Sequence, residues 1–187
     1  PGIIYGAVCS WGEKVPEFEE LNRQISVLEF GDASGELVDC LDKMNQAAVF
    51  GWYSIVTIRE WAMRGVEKEK ILAEFVKEDM TRVPEKNACI DELEAKLRKV
   101  SRSMDSAQRG IVECAHVALQ ITKAWNRTGA YLAELQKGNH PDNGAEIAAE
   151  LERSLHYYQK LWRENSREGD LGEITKVFCW YADVLRK

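Results

Sequence analysis

Ser10-Trp11-Gly12-Glu13 places a broad indole beside a carboxylate, directly after the short apolar run Gly2-Ile3-Ile4-Tyr5-Gly6-Ala7-Val8-Cys9. At the C-terminal end of a strand, such a pair suits a sugar: the ring stacks on its apolar face and the carboxylate accepts from its hydroxyls. Packing of Trp11 on the first helix is the plainer alternative, and both readings stand at this point. The other chemistry-bearing residues do not assemble. His116, His140 and His156 are dispersed, with no His, Cys or carboxylate at ligand spacing, so no metal site is expected. Gly-rich phosphate loops, G-x-S-x-G elbows and H-E-x-x-H motifs are all missing, so no cofactor is expected either. The single Asp-Glu pair, Asp91-Glu92, falls in a helical segment and reads as a solvated helix start.

Bulk properties narrow the class. The chain has 187 residues, 45% hydrophobic and 30% charged, enough for one domain with a sizeable core. A formal charge of -6 without a Lys/Arg cluster argues against nucleic acid. No apolar run approaches the roughly twenty residues that span a bilayer, so no membrane is expected. The N-terminus lacks a basic leader and an initiator methionine, which suggests a chain cut from something longer. Five cysteines (Cys9, Cys40, Cys89, Cys114, Cys179), scattered and odd in number, fit neither a disulfide framework nor a zinc site. A reducing, cytoplasmic setting is the expectation. Asn126-Arg127-Thr128 matches a glycosylation sequon, yet Thr128 falls on a core-facing helical position, which makes the match fortuitous.

The elements that must carry these residues are mostly helical. Residues 1–15 form one unit, a fully buried strand and its loop, and residues 16–187 form a helical domain. Phe18, Leu21, Ile25 and Leu28 make a stripe ending at Phe30-Gly31-Asp32. Ser34 is the expected N-cap of a helix running through Leu41, Ala48 and Trp52 to Gly65, with Gly51 its weak point. A third helix runs from Glu67 to Met80, ended by Val83-Pro84.

The longest signal is an apolar stripe in one frame: Ile90, Leu93, Leu97, Val100, Met104, Ala107, Ile111, Cys114, Ala118, Ile121, Trp125, Thr128, Leu132 and Leu135. One helix of that length would span roughly 75 Å, so a break is expected at residues 101–105. Asn143 and Glu146 have capping-box spacing before Ile147, Leu151, Leu155, Tyr158 and Trp162. Ile174, Val177, Tyr181 and Val184 mark the last helix. The sum is an all-α fold, an antiparallel bundle of about six or seven helices preceded by one short β-strand.

Three stretches resemble the family 20 glycoside hydrolases, the β-N-acetylhexosaminidases. Gly6-Ala7-Val8-Cys9-Ser10-Trp11-Gly12-Glu13 resembles the end of the family's last barrel strand. Phe30-Gly31-Asp32-Ala33-Ser34-Gly35-Glu36-Leu37 resembles the segment that opens a C-terminal helical region, with Ala33 in place of proline. Tyr158-Gln159-Lys160-Leu161-Trp162 through Leu171 resembles the closing segment. The resemblance implies that the strand belongs to a (β/α)8 barrel, that Trp11 walls a sugar pocket and that Glu13 accepts from sugar hydroxyls. In that family the substrate's acetamido oxygen attacks the anomeric carbon, an Asp orients it and an adjacent Glu protonates the leaving oxygen.

No stretch here resembles that catalytic pair or six of the eight strands. The implied function is therefore a C-terminal helical accessory part of a β-N-acetylhexosaminidase-like glycosidase, inactive as this chain alone. Its implied partners are the remainder of a barrel or another subunit, with an N-acetylhexosaminide as ligand. The alternative is a self-contained helical bundle acting as an interaction or oligomerisation module. A chorismate-mutase-like helical enzyme would need inward Arg and Lys, which the long stripe lacks. A strand at residues 1–12 favours the glycosidase, and a helix there favours the bundle.

Overall fold

In the computed structural model, which describes residues 2–12, 14, 16–75 and 78–187, the secondary structure is helical throughout. Nine α-helices follow one another among the described residues. They are α1 (Gly2–Trp11), α2 (Phe18–Phe30), α3 (Leu37–Met44), α4 (Trp52–Met63), α5 (Lys68–Phe75), α6 (Val83–Ser103), α7 (Gly110–Gln136), α8 (Gly144–Asn165) and α9 (Leu171–Leu185). No helix is long and apolar enough to cross a membrane among these residues. The chain divides into two compact units, one made of Pro1–Gln46 and Cys89–His116, the other of Ala47–Ala88 and Val117–Lys187.

The first correction falls on the N-terminus. The expected strand is the helix α1. A strand leaves its backbone groups to be paired by neighbours, and none of the described residues forms one, whereas a helix satisfies them within the segment. The run also carries a helical face that its uniform apolarity conceals. Ile4, Tyr5 and Val8 pack on Leu21, Ile25 and Val38, and the Tyr5 and Phe18 rings meet edge to face at 5.7 Å.

In the same unit the connection from α2 to α3 is built around Asp32. Gly31 takes the left-handed conformation (φ 61°) that ends α2. The fully buried Asp32 carboxylate then accepts from the Ser34 N–H (2.9 Å) and hydroxyl (2.6 Å), from the Glu36 (2.8 Å) and Leu37 (2.9 Å) N–H groups, and from the Ser103 hydroxyl (3.0 Å). Asp32, rather than Ser34, caps the next helix, with its carboxylate at the positive helix end. Burial pushes its pKa up, but the hydrogen bonds from Ser34, Leu37 and Ser103 outweigh burial and hold it below the usual aspartate value.

The expected helix from Ser34 to Gly65 is two helices, α3 and α4, because residues 47–51 are held in an extended turn by distant groups described below. Val83-Pro84, expected to end a helix, starts α6 instead. Proline is at home in a first turn, where its missing N–H costs nothing. The break in the long stripe is where expected: α6 stops at Ser103, a short 3₁₀ turn covers Ser106–Gln108, and α7 begins at Gly110. In the first half of α7 the buried residues are Val112, Ala115 and Leu119, while Cys114 and Ala118 of the expected stripe are exposed; further along, Trp125 and Thr128 of that stripe are buried as expected.

In the other unit α9 folds back along α8. The Arg186 guanidinium holds Glu152 at 2.6 and 2.7 Å, and Gln159 donates to Thr175 at 3.0 Å, a pairing order that only antiparallel helices give. Their facing residues (Ile147, Ala148, Leu151, Leu155, Val177, Phe178, Tyr181, Ala182 and Leu185) form the core with Trp125 of α7. The capping box at Asn143 does not form. Its side chain makes no cap bond, and Glu146 pairs with Arg127 at 3.0 Å.

Asp32→Ala removes five hydrogen bonds and leaves buried donors unpaired, so the chain loses about 2–4 kcal/mol at pH 7 in urea unfolding. A carboxylate with a lowered folded pKa stabilises fully above the unfolded value, near 3.9, and its contribution disappears as pH falls through the folded value. The stability gap between wild type and Asp32→Asn therefore narrows below about pH 4, when unfolding curves are compared across pH.

Candidate functional site

Trp11 sits at the last position of α1 with 91% of its surface exposed, and Glu13 lies outside the described residues. The histidines stay apart. His116 is half-buried, with a pKa lowered by burial despite the nearby Glu94, while His140 and His156 are exposed. Asp91 and Glu92 are exposed on α6. No group of three or more His, Cys, Asp or Glu that could hold a metal exists among the described residues.

The cavity with converging functional groups lies within the Ala47–Ala88/Val117–Lys187 unit. It has a volume of about 550 Å³ and is walled by Phe50, Trp52, Trp125, Tyr158 and Phe178, with Asp170 also on its lining. That volume is within the ordinary range for a small-molecule site. A second cavity of about 620 Å³ lies between residues 75–84 and 130–137, with Phe75 as its one aromatic.

Four elements place the aromatic wall. Trp125 comes from the middle of α7, Trp52 from the first turn of α4, Tyr158 from α8 and Phe178 from α9. The Trp125 ring is in edge-to-face contact with Phe178 (4.8 Å), Tyr181 (5.1 Å), Trp52 (6.4 Å) and Phe50 (6.5 Å), an arrangement that fixes its plane. Its buried Nε1–H has no acceptor among the described residues. Tyr181 is anchored by donating its hydroxyl to the Ile55 carbonyl at 2.9 Å, and burial raises its pKa strongly.

The segment carrying Phe50 and Trp52 is held by one side chain. The Asn126 amide oxygen accepts from the Val49 N–H (2.7 Å) and the Phe50 N–H (3.3 Å), while its NH₂ donates to the Ala47 carbonyl (3.0 Å) and to Asn87 Oδ1 (3.1 Å). The Gly51 N–H donates to Glu78 at 3.1 Å. Close approach is possible because Gly129 has no side chain. A Cβ there would sit 2.9 Å from Phe50 Cβ and 2.7 Å from the Met80 sulfur. Asn126 and Thr128, the two ends of the sequon, are both fully buried.

Electrostatically the cavity is one-sided. Among the described residues Asp170 is its only acidic lining residue, exposed and with no side-chain capping bond, and none of the described lining residues is Lys, Arg or His. Tyr158 is held above its ordinary pKa by burial. The sequence places Trp52, Trp125 and Tyr158 on helical stripes, and local pattern gives no sign of the turn at residues 47–51 that leaves Trp52 in the first turn of α4, about half exposed.

The chain matches no family model, no curated protein and no solved structure.

Asn126→Ala takes four hydrogen bonds from buried and half-buried partners and costs about 3 kcal/mol, measured by urea unfolding of the full chain. Because the loss frees residues 47–51, the indole resonances of Trp52 and Trp125 move together. A change of less than about 1 kcal/mol contradicts the role assigned to the amide.

Proposed function

We propose that the chain is a helical interaction module that associates with a second copy of itself through α1. The observation that carries this reading is a helix half covered and half bare. Ile4, Tyr5 and Val8 face the unit's own core, while Gly2, Ile3, Gly6, Ala7, Ser10 and Trp11 are exposed, and the ten residues include no charge. Ile3 and Trp11 are each 91% exposed, far more than isolated surface apolar residues require. A Cβ added at Gly2 or Gly6 meets nothing within 4 Å, so another helix backbone has room to approach.

The face is self-complementary. In an antiparallel pair Trp11 of one copy lies over Gly2 and Gly6 of the other, an isologous contact that closes on itself. One helix about 15 Å long buries less than the roughly 800 Å² per side of a stable interface. Association in the micromolar range follows, as for weak transient contacts.

Sedimentation velocity is the test. The wild-type chain shifts toward dimer between about 5 and 200 µM, and Trp11→Glu or Gly6→Leu keeps it monomeric while helical content stays unchanged. A monomer over the whole range, or dimers unaffected by both substitutions, refutes the reading.

The exposed Trp11 ring also favours a second reading, the helical accessory part of a β-N-acetylhexosaminidase-like glycosidase. Its support is the likeness at Phe30–Leu37 and Tyr158–Leu171, and its partner is the rest of a barrel. The strand it calls for at residues 2–11 is a helix here, so the interaction module stands first. On this second reading the chain binds N-acetylglucosamine weakly at Trp11, seen by saturation-transfer NMR and lost in Trp11→Ala. It releases no p-nitrophenol from the aryl glycoside. Turnover that depends on carboxylates of this chain would overturn it.

A further inference from the structure

We propose that the aromatic cavity between α4, α7, α8 and α9 binds an organic cation, an aryl- or alkylammonium with Asp170 as its counter-charge. Three features select this class over others of similar size. The lining carries the aromatic side chains of Trp52, Trp125 and Tyr158, and an indole attracts a cation more strongly than other side-chain rings do. About half of Trp52 faces solvent, so a ligand covers an indole that the fold leaves bare.

Among the described residues the only formal charge on the lining is negative, since none of them is a Lys, Arg or His that could answer Asp170. Asp170 is also not spent on the fold: it stands at the N-cap of α9, yet its side chain makes no capping bond.

Competing ligands fare worse on the same residues. An anion meets the Asp170 carboxylate without a cation to offset it. A neutral apolar molecule of this size strips water from that carboxylate and returns no hydrogen bond or charge. An ammonium group supplies both, while its aryl or alkyl part fills the apolar volume. The volume of about 550 Å³ exceeds what a small ammonium head needs, so the cation carries a hydrophobic body.

The test uses the full chain and three probes of nearly equal size: 2-phenylethylammonium, 2-phenylethanol and phenylacetate, at neutral pH. Binding is followed through the indole N–H resonances of Trp52 and Trp125. The expected order of affinity is ammonium, then alcohol, then carboxylate. Asp170→Asn weakens the ammonium by about tenfold and leaves the alcohol within about twofold. Trp52→Ala, at a half-exposed position, weakens all three and so locates them in this cavity, with circular dichroism confirming that the variant keeps its helical content. Equal affinities, no binding of the ammonium, an unchanged ammonium affinity in Asp170→Asn, or full binding by Trp52→Ala overturns the proposal. Association through α1 is read by sedimentation, so the two readings fail independently.

Discussion

Polar groups taken out of water must be paired, and in this chain two side chains meet that demand for whole connecting segments. In one unit the Asp32 carboxylate collects the donors of the α2–α3 turn and the Ser103 hydroxyl at the end of α6. In the other, the Asn126 amide pairs both donors and an acceptor of residues 47–50. Each is a branched, short side chain that presents several hydrogen-bonding atoms at one point. Aliphatic packing brings helices together with little regard for register. These two groups determine where the helices begin, and with that which way the side chains next to each turn point.

The aromatic cavity follows from the second of them. Asn126 holds residues 47–50 in the turn before α4, so the helix starts at Trp52, three residues ahead of the buried Ile55, with the indole about half exposed in the first turn. The ring stands beside Trp125 at 6.4 Å with one side open. The glycine at position 129 completes the device. It admits Phe50 against the α7 backbone, while a methyl group there would collide with the ring's own Cβ. A buried amide, an absent side chain and a half-exposed indole are thus parts of one arrangement.

The legible parts of the sequence were the long, strongly periodic ones. The stripe from Ile90 to Met104 is buried as its spacing implies, and so are Ile147, Leu151, Leu155, Val177 and Tyr181 of α8 and α9, whereas Ile174 and Val184 are half-buried and Phe178, Ala182 and Leu185 join the core unanticipated. The break after Ser103 was legible from chain length and serine content, and so was the burial of Trp125 and Thr128; in the first half of α7 burial falls instead on Val112, Ala115 and Leu119, one position beyond the expected stripe. The split at residues 45–51 rests on Asn126, nearly eighty positions away, and local propensity carries no trace of so remote a partner. Proline at position 84 was ambiguous in kind, since one residue type both ends helices and begins them.

The N-terminal segment shows why a short apolar run resists reading. Gly2 to Trp11 has neither the alternation of an exposed strand nor a polar face to betray a helix, and its length suits either. What decides between them is who supplies the backbone partners. A strand requires a neighbouring edge, while a helix requires only a surface for one of its faces, and Leu21, Ile25 and Val38 provide that surface. The choice has a physical consequence. As a strand the segment would spend its polar backbone on its neighbours and point side chains to both faces. As a helix it is satisfied internally and gathers Ile3, Ala7 and Trp11 on one uncharged side. The uncovered apolar surface is therefore a product of how the backbone is satisfied. Any partner that covers it reads side chains and close backbone approach rather than unpaired N–H groups.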